Sequence, residues 1–393
     1  MATATPPYAL PIAEEVLEGP VLDHVPVIVP VEHRPKGVLG WLRSAVEWCF
    51  GFAFLMVVLA VLSAIPVLQF LTLGYLLEAS GRVARGRLRD GFIGIPPAAR
   101  LAGLALGVFV FWLPLYLLSY MADRARIIDP DGQIARRWDT WLVALTTLFA
   151  LHVTAACLRS GRLRGFLWPF NVFWLVGQMF RTNILRDMRD GLWNTFRKFR
   201  LPYYFWLGVR GFLGAFIWLL IPLVLLGQGH RALALGILGA ITLGVVVLYL
   251  PFLQTRFARD NRFRAFFQLQ KVRRDYRYAP FSFAFALTVH LLLAVPLYVW
   301  KIELIPWDLM YLEGLVFLAF MYPAHLLDGW AYARSTSRRK PAFWLWRWAG
   351  RVSVVPVVVA YVLTVFLSQH VGWNGVGSLF EQHAFLVPAP FTK

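Results

Sequence analysis

Long apolar runs alternate with short polar, arginine-rich segments along the chain, and this alternation predicts its elements. Stretches 101–122, 140–158, 202–227, 232–255, 281–300, 309–329 and 352–373 are each apolar for about the 20 residues that a helix needs to cross a hydrocarbon core. An eighth run, 48–77, holds 30 residues without a charge, a helix of about 45 Å and too long for one upright span. Pro66 sits near its middle, where a helix kinks or breaks. The run therefore reads as a hairpin, with 48–65 entering and 67–81 returning, or as one tilted span. Residues 165–180, GFLWPFNVFWLVGQMF, are too short to cross and lie between arginines, so they are expected to be interfacial or re-entrant. The pattern as a whole predicts an all-α, multi-pass transmembrane helical bundle with seven clear spans plus an N-terminal helical hairpin or eighth span.

The polar segments orient the bundle. Placing 78–100, 159–200, 256–280 and 330–351 in the cytoplasm puts 28 Lys and Arg inside against 7 in the intervening outer segments, the asymmetry of an inner-membrane protein. Residues 1–36, Pro- and Val-rich and mildly acidic, lack the basic start and apolar core of a signal peptide and read as a disordered tail. The transmembrane domain then covers 37–373, and 374–393 form a short extracytoplasmic tail. Composition agrees: 59% hydrophobic and 15% charged residues exclude an ordinary soluble chain. Cys49 and Cys157 both fall in apolar stretches, which argues against a disulfide framework or a cysteine metal site.

A formal charge of +18 would suggest nucleic acid in a soluble protein, and one segment sharpens the question. RFARDNRFRAFFQLQKVRRDYRY, 256–278, mixes eight basic side chains with four phenylalanines and two tyrosines. Read as a helix, it gathers Phe263, Phe266 and Phe267 on one face, opposite Arg264 and Lys271. Two spans flank it, so the lipid bilayer and its anionic headgroups are the expected partners and nucleic acid is not. The sequence leaves protein partners open.

Two segments echo each other: Pro66-Val67-Leu68-Gln69 and Pro251-Phe252-Leu253-Gln254 both close an apolar run before an arginine-rich stretch, as an internal duplication would. The surrounding IPVLQFLTLGYLLEASGRVARGR and YLPFLQTRFARDNRFRAFFQLQKVRRDYRYAPFSF resemble an uncharacterised prokaryotic integral-membrane family, a domain of unknown function, over roughly 40–300. The resemblance implies a polytopic helical membrane protein and no particular activity or cofactor.

Phosphate-loop, zinc-helix, nucleophile-elbow and CxxC motifs are missing from the sequence. Chemistry then rests on ionisable groups inside spans, which are costly in hydrocarbon and are functional candidates for that reason. They are His152, Arg210, His290, Glu313, His325 and Asp328. His325 and Asp328, three apart, share a helical face near the cytoplasmic end, as a metal ligand or a proton relay with its orienting carboxylate would; a polar helix–helix contact or a headgroup-level pair is the favoured reading. Three imidazoles, His152, His290 and His325, would suit zinc if their depths agreed. No cofactor or metal is otherwise indicated. The leading reading is a non-enzymatic transport, channel or membrane-assembly component. The alternatives are an intramembrane enzyme using these groups and a scaffold recruiting partners through its basic loops.

Overall fold

The computed structural model describes residues 37–130, 132–159, 199–300, 310–372, 375–382 and 384–386, with isolated positions 171, 173 and 177. Among these residues there are eleven α-helices and no strand. The tail 1–36 and most of 165–180 lie outside them. The chain divides into two units, 1–45 and 46–393; the first is described only from residue 37, as the opening of a helix.

That helix, α1 (Val38–Ala64), stops where Pro66 interrupts the apolar run. Val67 at the break has φ +71°, a left-handed conformation that a β-branched residue adopts only under strain. The return arm, α2 (Gln69–Arg85), runs back beside α1: Thr72 Oγ1 donates to Leu59 O at 2.9 Å near the break. Farther along, Phe52 and Tyr75 both pack on Tyr322, with ring centroids 5.9 and 6.0 Å apart. Residues 48–77 are thus part of a hairpin, and its second arm is the centre of the protein. Every residue from Leu71 to Gly81 is buried, although the arm includes Glu78, Thr72 and Ser80.

A short 3-10 turn (Leu88–Gly91) leads to α3 (Ile95–Ile128), which pairs with the antiparallel α4 (Gln133–Arg159). Arg126 bridges to Asp139 at one end, and Phe111 meets Phe149 farther along. The core is built by α5 (Leu201–Gly227) and α6 (Leu233–Asp260) against α2. At the α2–α5 crossing, Gly74 faces the carbonyl of Tyr204 and Gly208 faces that of Phe70, so closely that a Cβ on either would overlap the opposite backbone. Small residues permit this approach, as in membrane helix pairs generally.

After α6, a 3-10 turn (Phe263–Phe267) and the short α7 (Leu269–Tyr276) lead into α8 (Pro280–Trp300). Then come α9 (Met310–Ser337), the short α10 (Trp344–Val352) and α11 (Val355–Val371). A last 3-10 segment, Gly375–Phe380, turns back into the bundle. On α10, Trp344, Leu345, Trp348 and Val352 form an exposed face, suited to a lipid interface.

Seven helices are long and apolar enough to cross a membrane, and they are not quite the seven expected. Six match. The seventh is α1; the expected span 309–329 begins outside the described residues, and its described part is α9, where His325 and Asp328 are enclosed by protein.

Residues 256–278 do not form one amphipathic helix. Asn261 ends α6 in a left-handed conformation, and Arg256 is drawn inward to Asp275 at 3.0 Å. The supposed lipid face is divided. Phe266 is fully buried against Phe257 and Gly214, Phe263 is half-buried beside it, and Phe267, Arg264 and Lys271 are exposed. A kinked connection cannot keep a helical period, so the face read from that period does not exist. The two Pro-x-Leu-Gln echoes also differ: Pro66 lies at a helix break, whereas Pro251 lies inside continuous α6.

Candidate functional site

The midpoint of α8 faces α9 in the most enclosed part of the bundle, and there His290 meets Asp328. The distance from Nδ1 to Asp328 Oδ2 is 2.7 Å, and both side chains are fully buried. His290 Nε2 lies 2.8 Å from the carbonyl of Ala384. A carbonyl only accepts, so Nε2 carries a proton and donates it. One further proton must then lie between Nδ1 and Oδ2. The pair is neutral as a whole, which is how it tolerates burial, and its shared proton has a carboxylate and an imidazole to choose between. Two buried polar atoms beside it, Asp328 Oδ1 and His325 Nδ1, have no hydrogen-bond partner among the described residues. The His325 ring meets that of His290 edge-on at 5.5 Å.

The C-terminal segment closes this centre. It enters beside the end of α5, where Val376 and Leu379 pack on Gly227, and penetrates until Ala384, Phe385 and Leu386 are buried. Irregular backbone within a membrane bundle is stable only where protein satisfies its polar groups. Here side chains do so. Besides His290, Gln254 Nε2 on α6 donates to Phe385 O at 2.8 Å, and Tyr361 on α11 donates to Gln382 Oε1 at 2.7 Å.

The six ionisable candidates scatter around this centre. His290, His325 and Asp328 come together, and Asp328 makes a polar helix–helix contact with His290 instead of pairing with His325 along its own helix. His152 is on α4, against Phe111 of α3 at 4.8 Å. Among the described residues no group of three His, Cys, Asp or Glu is placed to hold a metal ion, and the three-imidazole arrangement does not form. Arg210 does not seek a carboxylate. It donates to Asn261 Oδ1 at 2.9 Å, bracing the end of α6, while Glu78 is held by Arg82, Arg85 and Tyr203. Glu313 is half-buried near the start of α9, where neighbouring Gly314 abuts Ala60 of α1.

Outside the spans, Arg256 ties α6 to the connection through Asp275 and Gln268. Burial raises Asp275 above the ordinary carboxylate range, against the pull of Arg256.

Gln254, Tyr361 and the segment 375–386 were not among the sequence candidates. Gln254 carried a faint signal as the polar end of an apolar run. The tail carried only the apolar AFLVP after its polar residues. Comparison of the chain with family models, curated proteins and solved structures finds no match.

Proposed function

We propose that this multi-pass protein is a transport component of the cytoplasmic membrane that moves protons through the centre formed by His290 and Asp328. The observation that carries the reading is the neutral, fully buried pair between α8 and α9, sharing one proton beside two polar atoms that are unpartnered among the described residues. Ionisable groups at that depth are expensive and mark ion pathways and proton relays. The irregular segment reaching the same depth fits as well, since transporters build their sites from broken or unwound backbone near the midplane.

In proteoliposomes with a trapped pH-sensitive dye and an imposed potential, wild type should acidify or alkalise the lumen faster than protein-free vesicles. Asp328→Asn and His290→Gln should slow this by about tenfold or more, while His152→Gln should not. A wild-type rate equal to that of empty vesicles, or variants as fast as wild type, would refute the reading.

The basic loops support a cytoplasmic placement of the connections after α2, α6 and α9, where anionic headgroups meet arginine, with the end of α11 on the opposite side. An impermeant thiol reagent applied to intact cells should label Arg231→Cys and spare Ser337→Cys. The reverse pattern would invert the topology.

A further inference from the structure

The C-terminal segment is held as a bound peptide is held. Three helices each supply one side-chain partner: Gln254 Nε2 to Phe385 O, His290 Nε2 to Ala384 O, and Tyr361 to Gln382 Oε1. The Phe385 ring stacks on His290 with centroids 5.7 Å apart and meets Tyr361 edge-on at 6.1 Å. All three partners project from helices of the core, so the donors keep their places when the segment leaves.

The fit is incomplete on one side. Gln254 is fully buried, yet its Oε1 has no hydrogen-bond partner among the described residues. Flipping the amide would only set Oε1 against Phe385 O, so the acceptor is the end left over. A buried amide with its donor used and its acceptor free matches a ligand offering both a carbonyl and an N–H. Among its described residues the segment supplies only the carbonyl, because the N–H of Phe385 donates to Gln382 O at 3.1 Å.

We infer that the crevice between α6, α8 and α11 is a binding site for an apolar compound that presents the N–H and the C=O of one residue between two amide bonds, as in a short hydrophobic peptide or an N-acyl amino amide, and that residues 382 and 384–386 occupy it in cis as a resting plug. Gln254 would pair that N–H and C=O, which lie on one side of the residue because each flanking amide is trans, and the floor under Phe385 would take an aromatic or aliphatic group. The inference rests on the transport reading only in making this ligand a substrate; binding itself is independent of flux.

The test uses the full chain in nanodiscs, with Cys49→Ser and Cys157→Ser as background. Ala384→Cys reports plug position through its labelling by a soluble maleimide. Phe385→Ala should speed that labelling by at least about tenfold, because the buried ring is the plug's main apolar anchor. The same Phe385→Ala protein, without the reporter cysteine, should bind a fluorescent N-acetyl pentapeptide amide of sequence QHAFL, measured by anisotropy. Wild type should not bind it, being outcompeted by its tethered copy. Adding Gln254→Leu should weaken peptide binding by about tenfold. Where Phe385→Ala does not fold, Gln382→Leu removes the Tyr361 contact more gently and gives the same readouts.

Unchanged labelling in a folded variant would make the segment a fixed part of the core and overturn the inference. Faster labelling without peptide binding would overturn the ligand site. A fluorescent N-acyl amino amide competing with the peptide would point to the acyl-amide class, and its failure to compete to the peptide class. Peptide binding in a protein that moves no protons would sink the transport reading alone.

Discussion

Replacing Asp328 by leucine removes the only carboxylate on His290 Nδ1, and the shared proton determines the cost. Breaking a buried charged pair by deleting one partner costs about 3–5 kcal/mol, because a bare charge stays behind. Here the pair is neutral overall: once the carboxylate and the shared proton are gone, His290 keeps its Nε2 proton on Ala384 and is left with one unpartnered lone pair at Nδ1. An unsatisfied buried acceptor costs about 1–3 kcal/mol. Loss of the bond itself and imperfect filling by leucine bring the expected destabilisation to about 3 kcal/mol. His290→Leu also deprives Ala384 of its donor and should cost at least as much. The double variant should cost less than the two singles combined, with a coupling of about 1–3 kcal/mol. Unfolding in mixed micelles by SDS titration, followed by far-UV circular dichroism, measures all four corners of the cycle. A coupling indistinguishable from zero would mean that the two side chains do not share a proton in the folded protein. A cost above about 5 kcal/mol for Asp328→Leu alone would mean that His290 retains its charge.

Other outcomes follow from particular contacts. Gly208→Val should destabilise by about 3 kcal/mol in the same titration, because its side chain would overlap the backbone of Phe70; a neutral result would mean the helices are not in contact there. Val67→Gly should stabilise by about 1 kcal/mol by removing a β-branched residue from φ +71°, unless the hairpin turn has another conformation. Phe266→Ala should cost about 3–5 kcal/mol and Phe267→Ala under about 1, since only the first ring is buried; equal costs would restore a common lipid-facing role. Because burial raises Asp275, its protonated form favours folding fully below the unfolded pKa and progressively less as pH rises through the raised folded value. The melting temperature of wild type minus that of Asp275→Asn should therefore fall as pH rises from about 4 through the raised folded value, and a rise would mean that attraction to Arg256 outweighs burial.

The helical class, six of the spans and the break at Pro66 were all legible in the sequence. Each follows from a local rule: hydrocarbon thickness sets the apolar length, and a ring that removes an N–H ends a helix wherever it falls. The presence of costly polar groups was legible for the same reason, and His290, His325 and Asp328 were found by it. Pairing was not. Partners 38 residues apart on separate helices leave no periodic trace, so the nearer pair, His325 with Asp328, was the visible one and the wrong one. The tight crossing at Gly74 and Gly208 joins two single glycines in different helices, which leaves no repeat along the chain. Residues 256–278 carried a helical period that a left-handed Asn261 and the pull of Asp275 on Arg256 overrode. The C-terminal segment was hidden most completely. Its backbone is stabilised by side chains from helices that precede it by up to 131 residues, and only the assembled bundle brings those donors to one place.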